Sequence, residues 1–70
     1  MTEIAMIFDI LNDGRWHEIE ELRQRLNLNE QNIQKITTFL SRYDLVKIDN
    51  ENRKVKINHS FQKLLAQTVT

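Results

Sequence analysis

Five side chains near the middle of this 70-residue chain have types and a spacing suited to recognition chemistry. Gln31, Gln34, Lys35, Thr38 and Arg42 recur at steps that bring them onto one face of a helix with about 3.6 residues per turn. They are two amides, a hydroxyl and two cations, and no carboxylate lies among them. Such a set can donate hydrogen bonds to phosphates or to base edges. A glutamine can pair bidentately with adenine, and a lysine or arginine with guanine, each good pair being worth ~1–3 kcal/mol of discrimination. The plainer reading of the same face is a solvated helix surface, and the elements around it decide between the two.

Other chemistry has less to stand on. His17 and His59 fall at expected helix starts, where a histidine caps or faces solvent. With no cysteine in the chain, disulfides and thiolate metal sites are excluded. A glycine-rich phosphate loop cannot be built from one glycine. No nucleophile-and-base pair is evident, so the chain does not read as an enzyme, and no cofactor or metal is expected.

The five residues belong to the stretch from Asn29 to Tyr43, read as a single amphipathic helix. Ile33, Ile36, Leu40 and Tyr43 form its apolar stripe. Asn29 is suited to cap it, and Leu28 can pack on Ile33 as a hydrophobic staple. Phe39 flanks the stripe and should be about half exposed. Upstream, a helix is expected from Glu18 to about Leu26, buried through Ile19, Leu22 and Leu26. Its acids stand in the first turn and Arg23 and Arg25 in the last, which suits the helix dipole. Asn27-Leu28-Asn29 is then a tight turn between two helices that cross steeply.

At the start of the chain, Thr2 can cap a first helix, with Ile4, Ile7, Phe8 and Leu11 on one stripe and Met6 and Ile10 on a second. Gly14 supplies the left-handed residue after that helix. Arg15-Trp16 reads as a short extended segment, with Trp16 in the core or covering the hairpin, a base-stacking role being the alternative. After Tyr43 the period becomes alternating: Leu45–Asp49 and Lys54–Asn58 are strands of a hairpin around the polar loop 50–53. Lys47, Lys54 and Lys56 share its outer side. Asn50 and Asn52 are suited to the positive φ angle of such a loop. Asn58 or Ser60 caps a last helix with the stripe Phe61, Leu64 and Leu65, and the tail from Gln67 to Thr70 should fray.

The whole is a single mainly α domain with a small β-hairpin, of α+β class, in the order helix, strand, helix, helix, strand, strand, helix. Its core is small for its surface, and a second copy of the chain could add to it. Charge is balanced overall but not along the chain. Residues 1–30 hold seven acids (Glu3, Asp9, Asp13, Glu18, Glu20, Glu21, Glu30) and three bases (Arg15, Arg23, Arg25). Residues 31–70 hold seven bases (Lys35, Arg42, Lys47, Arg53, Lys54, Lys56, Lys63) and three acids (Asp44, Asp49, Glu51). A neutral protein can thereby present a basic surface. No apolar run nears the roughly 20 residues of a membrane span, and no basic-then-apolar leader is seen, so no membrane partner and a cytoplasmic location are expected.

This order, with three stretches, resembles the winged helix-turn-helix domain of small archaeal and bacterial transcriptional regulators. DGRWHEIEEL is similar to that family's first strand leading into its second helix. Leu26 to Leu40 is similar to its turn and recognition helix, and LSRYDLVKIDNENRKVKI to the helix end and wing. The likeness runs over roughly residues 4–65 and is one of spacing and hydrophobicity. It implies a sequence-selective protein on double-stranded DNA, with base contacts from Gln31, Gln34, Lys35 and Thr38 and a backbone contact from Arg42. The wing's contacts would fall on Arg53, Lys54 and Lys56. Where that family often has glycine this chain has Asp44, which implies a helix end closed in another way. A homodimer is expected through Met6, Ile10, Phe61, Leu64 and Leu65, unless the last helix simply packs over the first within one chain. The alternative function is a protein-interaction module within a larger assembly, which the resembled fold also serves and for which Phe39 would be a natural contact.

Overall fold

A computed structural model describes residues 2–67. These residues form a small mixed α+β fold of four helices and a three-stranded antiparallel sheet. The helices are α1 (Thr2–Leu11), α2 (Ile19–Arg25), α3 (Glu30–Arg42) and α4 (His59–Gln67). The strands are β1 (His17–Glu18), β2 (Val46–Asp49) and β3 (Lys54–Ile57), in the spatial order β1-β3-β2. Of the expected frayed tail, Gln67 closes α4, and residues 68–70 lie outside the described residues.

One core joins three of the helices to the sheet. Ile7 and Leu11 of α1, Ile19 and Leu22 of α2, and Ile33 and Leu40 of α3 are buried against Val46, Val55 and Ile57 of the sheet. Thr37 is buried with them, although nothing in the apolar pattern marks it. Its hydroxyl donates to the carbonyl of Ile33 at 2.9 Å, which satisfies the polar atom inside the helix. Tyr43, expected on this stripe, is instead 61% exposed at the end of α3 and rests its ring on Phe39, centroid to centroid 5.0 Å.

The helix ends follow local chemistry. Asn29 caps α3, its side chain accepting from the Asn32 N–H at 2.7 Å. α2 closes with Asn27 at φ 54°, and the Leu28 N–H returns to the Arg23 carbonyl at 3.0 Å. The end of α3 repeats that closure: Asp44 stands at φ 61° and the Leu45 N–H reaches the Leu40 carbonyl at 2.9 Å. Both are Schellman ends built without glycine, on the two residue types that best tolerate the left-handed region. Asn58, not Ser60, caps α4, accepting from the Ser60 N–H at 2.9 Å. Thr2 lies inside α1 and is not its cap.

Three expectations shift with the sheet. The extended segment expected at Arg15-Trp16 pairs two residues later, His17 opposite Val55 and Glu18 opposite Lys54, because its place is fixed by β3. Helix α2 accordingly begins at Ile19, one residue after the expected start. In the hairpin loop the residue at positive φ is Arg53 (52°), not an asparagine. Asp49 sets that turn by accepting from the N–H groups of Glu51 and Asn52 at 3.1 and 3.2 Å, and the Arg53 carbonyl receives the Ile19 N–H at 3.0 Å. The hairpin tip is thus pinned to the start of α2.

Candidate nucleic-acid interface

Helix α3 carries its buried residues on one side and Gln31, Gln34, Lys35, Thr38 and Arg42 on the other, all five exposed. With Phe39 they line one open concavity along the helix. Among the described residues neither Lys35 nor Arg42 has an ion-pair partner, so both charges are available. The 13 residues of α3 span about 20 Å at 1.5 Å per residue, enough to lie along a major groove.

The hairpin extends that surface through Arg53, but not through Lys54 and Lys56. Between α3 and the hairpin tip, Gln34, Thr38, Asn50 and Arg53 border a narrow cleft over Ile48. Toward the end of the helix Thr38, Ser41, Arg42 and Asn50 border a second one. Asn50 and Ser41 therefore adjoin the candidate surface; Ser41 follows from helical period, whereas the placement of Asn50 needs the register of β2 against α3 and has no local signature.

Lys54 and Lys56 lie elsewhere. In an antiparallel pair, directly opposite residues share a face. Lys47 stands opposite Lys56 and Asp49 opposite Lys54, while Val46, Ile48, Val55 and Ile57 take the inner face. The three lysines do share the outer side of the hairpin, on the surface turned away from α3. There the Lys56 ammonium sits 4.9 Å from the centre of the Trp16 ring. Trp16 is 43% exposed and covers the outside of the sheet, so it is a hairpin-covering residue and not a core one.

Arg53 is near the cleft but engaged. Its Nη2 donates to Glu30 Oε1 at 2.7 Å, and Glu30 also lies 3.9 Å from Arg23. Arg23 binds Glu20 through Nε and Nη2, which holds the Glu20 carboxyl down at about 2. A second polar cluster surrounds His17. Its Nε2 is 2.9 Å from Asp13 and its Nδ1 3.3 Å from Glu21. Partial burial pulls the imidazole toward the neutral form, but the two carboxylates outweigh it and raise the pKa. His17 is thus a link between three elements, and not the capping or surface residue its position suggests.

The five residues expected at a dimer contact divide between two places. Met6 and Ile10 border a shallow cleft with Arg25 and Leu26 at the end of α2. On the other side of α1, Phe61 is half-buried with its ring 5.3 Å from Phe8, and Gln62 donates to the Asn12 carbonyl at 2.7 Å. Helix α4 therefore packs over α1 within one chain. Leu64 and Leu65 remain exposed on its outer turn, and Leu65 borders a cleft with Phe8 and His59. No helix among the described residues is long and apolar enough to cross a membrane. No protein-family model, curated protein or solved structure matches the chain.

Proposed function

We propose that this chain is a winged helix-turn-helix domain that binds double-stranded DNA sequence-selectively, as a cytoplasmic transcriptional regulator. The observation that carries the reading is the outer face of α3. It is the second of two helices joined by a tight turn, and it is free of carboxylates from residue 31 to residue 43. Its donors are exposed, and the hairpin tip lies alongside Gln34 and Thr38. In this reading Gln31, Gln34, Lys35 and Thr38 meet base edges in the major groove while Arg42, Ser41 and Asn50 meet the backbone beside it. Two free cations are a modest grip, so a homodimer on two half-sites would supply the remainder. Its contact would use the exposed Leu64 and Leu65 on the outer turn of α4.

The test is an anisotropy titration on mixed-sequence duplex at about 50 and 200 mM salt, the range over which phosphate contacts are read. Each neutralised phosphate contributes about 0.9 to the slope of log affinity against log salt. The one cation placed on the backbone, Arg42, gives a slope near −0.9 per protomer and a loss of roughly 3.5-fold across that fourfold range. Replacing Lys35 and Arg42 together by Gln should leave the affinity nearly flat in salt. Absence of binding by the wild type at the lower salt would refute the proposal.

A second reading is favoured by one observation. Phe39 (49% exposed) and Tyr43 form an aromatic pair on the flank of α3, next to the polar face. Exposed aromatics are characteristic of protein contacts, and a protein-interaction module would use them as anchors. Replacing both by Ala should then abolish partner capture while leaving any DNA affinity intact.

A further inference from the structure

The hairpin and α3 are joined by charge as well as by packing. Four charges alternate across three elements: Glu20 and Arg23 on α2, Glu30 in the first turn of α3, and Arg53 in the hairpin loop. Glu30 is the one carboxylate in α3, and it stands at the end from which Gln31 and Gln34 project. Arg53 borders the cleft with Gln34 and Thr38, within reach of anything bound along that face.

We infer that Glu30 masks Arg53, occupying the guanidinium that would otherwise neutralise a phosphate, and thereby limits the affinity of the α3 surface for DNA. The inference rests on the reading of α3 as a DNA-binding helix. Its physics is a competition between like ligands, since a guanidinium fork fits a carboxylate and a phosphate in the same manner. The bridge can be exchanged, because both partners are more than half exposed in solvent. The exchange needs no movement of the backbone. The Arg53 carbonyl stays on the Ile19 N–H, and only the arginine side chain turns from Glu30 toward the groove. A negative charge at the first turn of α3 also stabilises the helix, so Glu30 has a local benefit that offsets its repulsion of DNA. The masked cation explains how a domain with a cationic hairpin can leave only Lys35 and Arg42 free on its candidate surface.

The experiment measures binding of mixed-sequence duplex DNA at several salt concentrations for wild type, Glu30→Gln, Arg53→Gln and the double variant. Thermal melts by circular dichroism establish that each is folded, and Glu30→Ala serves as a second charge-removing variant. Glu30→Gln should bind about three- to tenfold more tightly at low salt, with a slope steeper by about 0.9, the signature of one more neutralised phosphate. Arg53→Gln alone should change little, and in its background the gain from Glu30→Gln should fall below about twofold, since the unmasked cation is gone. Wild-type binding with no gain from either Glu30 variant, or an equal gain with and without Arg53, would overturn the masking while leaving the DNA reading in place. If neither wild type nor Glu30→Gln binds duplex at low salt, the DNA reading fails and the masking with it.

Discussion

His17 should make the stability of this domain depend on pH in the neutral range, in a direction that its neighbours determine. The imidazole is 15% exposed and lies between two carboxylates, Asp13 in the turn after α1 and Glu21 on α2. Carboxylates accept hydrogen bonds and cannot donate them, so both contacts are complete only when both ring nitrogens carry protons. The folded-state pKa is raised above the ordinary 6.5. A raised pKa means that the folded state binds the proton more tightly than the unfolded chain does. The contribution is therefore fully present below about pH 6.5 and is lost as pH rises through the folded value. Asp13 and Glu21 are themselves partly exposed, so the two contacts together amount to about 1 kcal/mol. For a domain this small, 1 kcal/mol corresponds to a melting-temperature change of about 4–8 °C. Melts followed by circular dichroism between about pH 5.5 and 8.5 should show a fall of that size in wild type, and a nearly flat line in His17→Gln. The displaced carboxyls act in another window. Asp13, held low by the Arg15 N–H and then by His17, and Asp49, held low by Asn52, lose their contribution only as pH falls below the ordinary carboxylate range. Equal pH dependence in wild type and His17→Gln, or stability that rises toward pH 8.5, would refute the assignment.

Two further outcomes follow from the packing and the sheet register. Leu40→Ala opens a cavity at a residue 1% exposed, where α3 meets β2, and should cost about 2–5 kcal/mol. A chain of this length has only about 4–10 kcal/mol in all, so the urea midpoint should fall by about a fifth or more; a loss under about 1 kcal/mol would contradict the core described. Replacing Lys54 and Lys56 together by Gln should weaken duplex binding by less than the Lys35 and Arg42 pair does, because both lysines lie on the outer face of the sheet. A larger loss from the hairpin pair would place the DNA contact on that outer face.

Much of the fold is legible in local sequence because local chemistry causes it. The Asn29 cap, the closure at Asn27 and the alternating runs around loop 50–53 each involve groups within a few residues of one another, and they form where expected. What escapes reading depends on partners far along the chain. The placement of β1 at His17–Glu18 is set by Val55 and Lys54. Glu30 and Arg53, 23 residues apart, form a pair that no spacing rule marks. Thr37 is polar by type, yet buried because its hydroxyl turns back onto its own helix. The candidate face of α3 was legible as a face, since helical period alone gathers it. Its relation to the hairpin was not, because alternation tells which lysines share a side but not which side meets α3.

The most direct measurement is an amide and side-chain chemical-shift map of the ¹⁵N-labelled domain titrated with a mixed-sequence duplex at low salt. The largest changes should fall at Gln31, Gln34, Lys35, Thr38 and Arg42, with Ser41 and Asn50 beside them and little at Trp16, Lys54 or Lys56. Changes concentrated on α1 and α4 or on the outer face of the sheet, or no change at any residue, would contradict DNA binding through α3.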